Sequence, residues 1–125
     1  MSWKRILLLA VGLLVLAGSA PAGGAAKRFN TYITCGLPRH HDTVCVSGDA
    51  PRAVIVSFRH ANVRYRLCVK TPTGRRNCRS ERTGARGTRD LVFIAAGRVG
   101  RYVVTWRAGG KLIDRDSYRL RPEPA

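Results

Sequence analysis

The densest chemistry in this chain is cationic. Between residues 64 and 89 stand Arg64, Arg66, Lys70, Arg75, Arg76, Arg79, Arg82, Arg86 and Arg89. A guanidinium fork holds phosphate, sulfate or carboxylate through two parallel hydrogen bonds, and several fixed cations together gain by releasing the counterions condensed on a polyanion. These residues are therefore candidate contacts for an anionic polysaccharide, a wall polymer, a lipid headgroup or extracellular DNA. Over the whole chain 23 Lys and Arg stand against 7 Asp and Glu, a formal net charge of +16. So large a charge also keeps a small domain soluble whatever it binds, so composition alone does not separate a site from a solvated surface. Tyr65, Tyr102 and Trp106 fall on apolar strand faces and read as core rather than as platforms for stacked bases. The alternative partner is an acidic protein, such as an enzyme the chain inhibits, met by loops at one end of the domain.

Cysteine is the second chemistry. Cys68 and Cys78 flank Thr73 symmetrically and face each other across a hairpin if 71–75 forms the turn; Cys35 and Cys45 flank His40 in the same way. Four cysteines allow three pairings, and the spacing favours two local bridges, Cys35 to Cys45 and Cys68 to Cys78. The nested pairing, Cys35 to Cys78 with Cys45 to Cys68, and the crossed one are the alternatives. Because Cys68 alternates with Arg64, Arg66 and Lys70, its bridge is expected on the outer face of a sheet.

Metal and nucleophile chemistry is thinly supplied. There is no close C-x-x-C pair to join His40, His41 and His60 in a zinc site. There is also no G-x-S-x-G elbow and no phosphate loop. His40 or His41 with His60 and Arg64 sketch a small basic ribonuclease, an alternative ranked below a non-catalytic binding or structural module. No cofactor is expected. Asp114 and Asp116 are too few for a calcium cage and are expected to pair with Arg107 or Arg115.

These residues must be positioned by short strands. Apolar runs at 32–35, 43–47, 53–58, 63–70, 76–79, 89–95, 101–107 and 111–120 are separated by Gly, Pro and Asn, beginning with Gly36-Leu37-Pro38. Val63, Tyr65, Leu67 and Val69 share one face of their run, as do Tyr102, Val104 and Trp106 of theirs, so each strand has a core face and a wetter face. Gly109-Gly110 supplies a tight turn between the last two runs. A two-residue turn there sets Trp106 opposite Ile113, and a three-residue turn over 108–110 sets it opposite Leu112.

This closing segment, Gly100-Arg101-Tyr102-Val103-Val104-Thr105-Trp106 through Gly109-Gly110-Lys111, resembles the closing hairpin of bacterial immunoglobulin-like and fibronectin-like modules. The resemblance implies an all-β fold, a small immunoglobulin-like antiparallel β-sandwich, here with two local disulfides. Such modules mediate adhesion, spacing or ligand binding and share no catalytic set. Trp106 follows all four cysteines, so the antibody arrangement of an inter-sheet bridge over a buried Trp is not expected.

The N-terminus reads as an address. Lys4 and Arg5 precede the uncharged run Ile6 to Ala17, and small residues follow up to an Ala20-Pro21-Ala22 cleavage site. The apolar run is short of the roughly 20 residues a spanning helix needs, so a retained membrane anchor is the alternative. We expect a signal peptide over 1–22, a flexible leader over 23–30, the β-domain over 31–121 and a short tail over 122–125. Export permits disulfides and makes the product secreted, with no transmembrane segment after cleavage.

Overall fold

A computed structural model describes residues 28–36, 41–95 and 97–124. The expected signal segment, residues 23–27 of the expected leader, the turn residues Leu37 and Pro38, and His40 lie outside the described residues. Among those described, no helix is long and apolar enough to cross a membrane.

Turn chemistry divides the described chain into strands β1 (Phe29–Thr34), β2 (Val44–Val46), β3 (Arg52–Ser57), β4 (Arg64–Lys70), β5 (Arg76–Arg82), β6 (Arg89–Phe93), β7 (Gly100–Ala108) and β8 (Lys111–Arg121). β1 starts inside the stretch expected to be a loose leader: Phe29 pairs with Ser57 and packs against the core. β5 runs on to Arg82, although its sequence, RNCRSER, has no apolar face to announce it.

The strands form an all-β, sandwich-like arrangement of two sheets. One has the order β1-β3-β6, the other β2-β8-β7-β4-β5. All neighbours are antiparallel except β2 and β8. Pleat alternation sends Ile33, Ala53, Ile55 and Val92 from the smaller sheet into one shared core, where they meet Tyr65, Leu67, Val104, Trp106 and Leu120 from the larger. Trp106 is fully buried. Each large apolar side chain so covered contributes about 1.5–3 kcal/mol of transfer free energy. Tyr65 also ties the sheets together, its phenol donating to Asp90 on β6.

The β7–β8 turn is a two-residue one, with Gly109 (φ 57°) and Gly110 (φ 76°) both in the left-handed region that a type I′ turn requires. Ala108 pairs with Lys111 and Arg107 with Leu112. A β-bulge then takes up Ile113, so that Trp106 faces Asp114 rather than Ile113 or Leu112.

Both disulfides are local in sequence, Cys35 to Cys45 and Cys68 to Cys78. The second joins residues directly opposite on β4 and β5. Thr71 N–H donates to the Arg75 carbonyl and Thr83 N–H to that of Val63, which makes the odd positions of β4 the hydrogen-bonded pairs. Cys68 and Cys78 therefore form a non-hydrogen-bonded pair, the kind whose side chains approach most closely. Cys68 lies under Arg76, whose guanidinium reaches its sulfur at 3.6 Å. The first bridge differs in kind, because it ties the end of β1 to β2 and so joins the two sheets.

Two features yield expected results. Gly100 has φ 138°, and a Cβ there would come within 2.7 Å of the Pro72 ring. Gly100→Ala should cost about 2–4 kcal/mol, from the unfavourable φ plus overpacking, read as a lower urea midpoint with unchanged m-value. Separately, burial pushes the Tyr65 phenol well above its ordinary 10.0, with its bond to Asp90 adding to the effect, and burial likewise raises Tyr118. Folded-state values above unfolded ones mean this stabilisation is complete below about pH 10. It is lost above that, at about 1.4 kcal/mol per tyrosine per pH unit, because the unfolded chain releases the protons first. Urea midpoints flat to about pH 10 and falling beyond it are the expected observation.

Candidate polyanion interface

Pleating sorts β4 into two sides. Tyr65 and Leu67 enter the core, and Arg64, Arg66, Cys68 and Lys70 point to the outer side of the five-stranded sheet. Strand register then extends that side row by row. Arg82 stands opposite Arg64, and Arg76 opposite Lys70. Arg66 lies between Ser80 and Arg107. The bridged Cys68 is followed by Thr105 and then Arg115. Arg101 faces Arg119, with Arg121 two residues further along β8. Ten cations thus share one sheet face.

No carboxylate on a strand shares it. Asp42 accepts the Cys35 amide and Asp49 the Val46 amide. Asp90 takes the Tyr65 phenol. Glu81 stands opposite the buried Tyr65 and holds Arg79 in an ion pair. Asp114 accepts Thr31 Oγ1 at 2.6 Å and the Arg115 amide; Asp116 accepts the Ser117 amide and lies 3.5 Å from His41 Nε2. The expected pairing of these two aspartates with the side chains of Arg107 or Arg115 is therefore corrected. They stand opposite Trp106 and Val104, on the other side of β8 from Arg115, where β1 lies alongside.

Four pairs of like charge lie directly opposite one another: Arg64 with Arg82, Lys70 with Arg76, Arg66 with Arg107, and Arg101 with Arg119. Each costs some tenths of a kcal/mol to about 1 kcal/mol, softened by salt. Of the open depressions that indent the face, two are the larger. One, of about 480 Å³, lies among Arg64, Arg66, Ser80, Arg107 and the Gly109-Gly110 turn. The other, of about 730 Å³, lies among Lys70, Arg101, Val103 and the β4–β5 turn. Arg66 and Lys70 are four residues apart on β4, which separates the two by about 13 Å.

Of the nine cations singled out from sequence, Arg64, Arg66, Lys70, Arg76 and Arg82 come together on this face. Arg75 sits in the β4–β5 turn at its end. Arg79 points to the opposite side of β5, opposite Leu67. Arg86 lies in the loop before β6, and Arg89 pairs with Val56 in the other sheet. Arg101, Arg107, Arg115, Arg119 and Arg121 were missed as contacts, although Arg101 and Arg107 alternate with the apolar face of Tyr102, Val104 and Trp106. His41 is at the β1–β8 seam, and the His60 carbonyl accepts Ser57 Oγ. Among the described residues no three His, Cys, Asp or Glu side chains gather where a metal ion could be held.

No protein-family model and no curated protein matches the chain. A functional reading rests on the face itself. It spans five strands and sets ten cations, with no carboxylate at an outward strand position, on one side of the larger sheet.

Proposed function

We propose that this chain is a secreted, non-catalytic binding module of immunoglobulin-like architecture whose five-stranded sheet grips an extended anionic polymer. The strand orders β1-β3-β6 and β2-β8-β7-β4-β5, with the pair β2 and β8 parallel, support the immunoglobulin-like reading. The N-terminal segment, basic and then apolar with an A-x-A exit, supports export. The observation that carries the binding role is the sheet face whose outward strand positions hold ten cations and no carboxylate, with its four opposed like-charge pairs. A surface that only needed solubility gains nothing by setting cations against cations, whereas a bound polyanion removes that repulsion and gains counterion entropy.

The test is the salt dependence of binding by the disulfide-bonded domain to duplex DNA and to a sulfated polysaccharide. With about four to six anionic groups engaged, log K should fall against log salt with a slope of about −4 to −5 on DNA. A slope shallower than about −2 on both polymers would refute the proposal.

A further inference from the structure

The two sheets end differently on the side where β5 and β6 are the outermost strands. β5 is blunted by exposed arginines, the usual protection of an edge. β6 is not. It exposes Leu91 (40%) and Phe93 (66%), and the order β1-β3-β6 leaves its far edge without a strand among the described residues.

Hydrogen-bond phase shows what that edge offers. The Ile94 amide donates to the Pro51 carbonyl, so residues 90, 92 and 94 face β3, and pairs recur at every second residue. The amides and carbonyls of Leu91 and Phe93 therefore point to the open side. Behind the edge, between the sheets, lies an apolar pocket of about 160 Å³ bounded by Val92 and Ile94 on one wall and by Leu67, Val69 and Arg79 on the other. That is close to the size of an engineered apolar cavity, on the order of 150 Å³, that accepts benzene. A strand laid beside β6 would pair with the main chain of Leu91 and Phe93 and turn alternate side chains outward beside them and inward into the pocket.

Charge selects the occupant. Arg89 opens β6 and the Arg52 guanidinium stands 5.6 Å from the centre of the Phe93 ring, while Arg79, which lines the pocket, already holds Glu81 in an ion pair. A second copy would bring the same cations to the same place. We propose that the free edge of β6 is a strand-addition site for an extended acidic segment of a partner protein, one of whose apolar side chains fills the pocket behind Val92 and Ile94. This does not rest on the cationic face, which belongs to the other sheet.

The probe is a capped peptide of about eight residues alternating valine and glutamate, added to the disulfide-bonded domain. Saturable binding is expected, with amide exchange at Leu91 and Phe93 slowed at least about tenfold while Val92 and Ile94 change little. Leu91→Pro removes a donor that β3 does not use and should abolish binding. If that variant folds poorly, N-methylation of the peptide's pairing edge gives the same result on the unaltered protein. Any of three results overturns the proposal: no saturable binding at millimolar peptide, equal binding of a scrambled peptide, or binding that leaves the two amides exchanging freely. Loss of binding through Arg66→Glu with Arg107→Glu, but not through Leu91→Pro, moves the peptide to the other sheet and equally overturns it. Protection of β6 by self-association without peptide makes the edge a contact between copies, and the proposal then fails.

Discussion

Reversing the facing pair Arg66→Glu and Arg107→Glu should weaken binding to duplex DNA by about 30-fold or more at 0.15 M salt, since each lost contact forfeits about fivefold in counterion release. The log–log salt slope should become shallower by about 2. The single change Arg107→Glu should weaken binding less and raise stability, because it replaces the repulsion of two cations opposite each other across β4 and β7 by an attraction, whereas the double change leaves like charges facing. A gain of up to about 1 kcal/mol corresponds to a few degrees in Tm for a domain of this size. Weaker binding with a firmer fold is not what a general folding defect produces. Arg86→Glu with Arg89→Glu removes the same net charge from outside the face and should change affinity less than about threefold. Equal losses in the two double variants would mean that bulk charge, and not this face, does the binding.

Removing the two disulfides should have unequal effects. Both bridges span the same sequence separation of 10, so chain entropy predicts about 3 kcal/mol for each. What remains after that common term is local. Cys35 and Cys45 are both buried within the core cluster, whereas Cys68, though buried beneath Arg76, lies outside that cluster and Cys78 is partly exposed on the outer face. Replacing Cys35 and Cys45 together by Ala should therefore cost about 4–6 kcal/mol, against about 3 kcal/mol for Cys68 and Cys78, the surplus reflecting lost core burial. Of the domain's expected 5–15 kcal/mol, the first change consumes a large part. Urea denaturation of the two double variants measures the difference directly, and equal midpoints would show that the bridge between the sheets adds nothing beyond closing its loop.

Much of this was readable from residue spacing, and the failures have physical causes. Strict alternation in VRYRLCVK placed Arg64, Arg66 and Lys70 on one side and Tyr65 and Leu67 on the other, as observed. Symmetry about Thr73 gave the opposition of Cys68 and Cys78. Arg79, Arg86 and Arg89 were grouped with the others by closeness along the chain. A pleat separates neighbours, however, and a change of sheet separates them further. β2, only three residues long, carries no pattern that reveals its parallel pairing with β8. Arg115, Arg119 and Arg121 could be assigned to a face only by knowing the β7–β8 register, which one irregular residue decides.

That residue is Ile113. Without the bulge, a two-residue turn would set Asp114 opposite Thr105 and Asp116 opposite Val103, in the midst of the cations. Arg115 would turn toward Val104, and Tyr118 and Leu120 would leave the core. A single inserted position thus works as a charge sorter: it rotates the aspartates of IDRDSYRLR inward and its arginines outward, and so determines the sign of the field above the sheet. Closing the bulge while keeping Ile113 in the ladder, opposite Trp106, would leave the composition unchanged while exchanging an attractive surface for a neutralised one; deleting Ile113 would instead keep the observed register without a bulge.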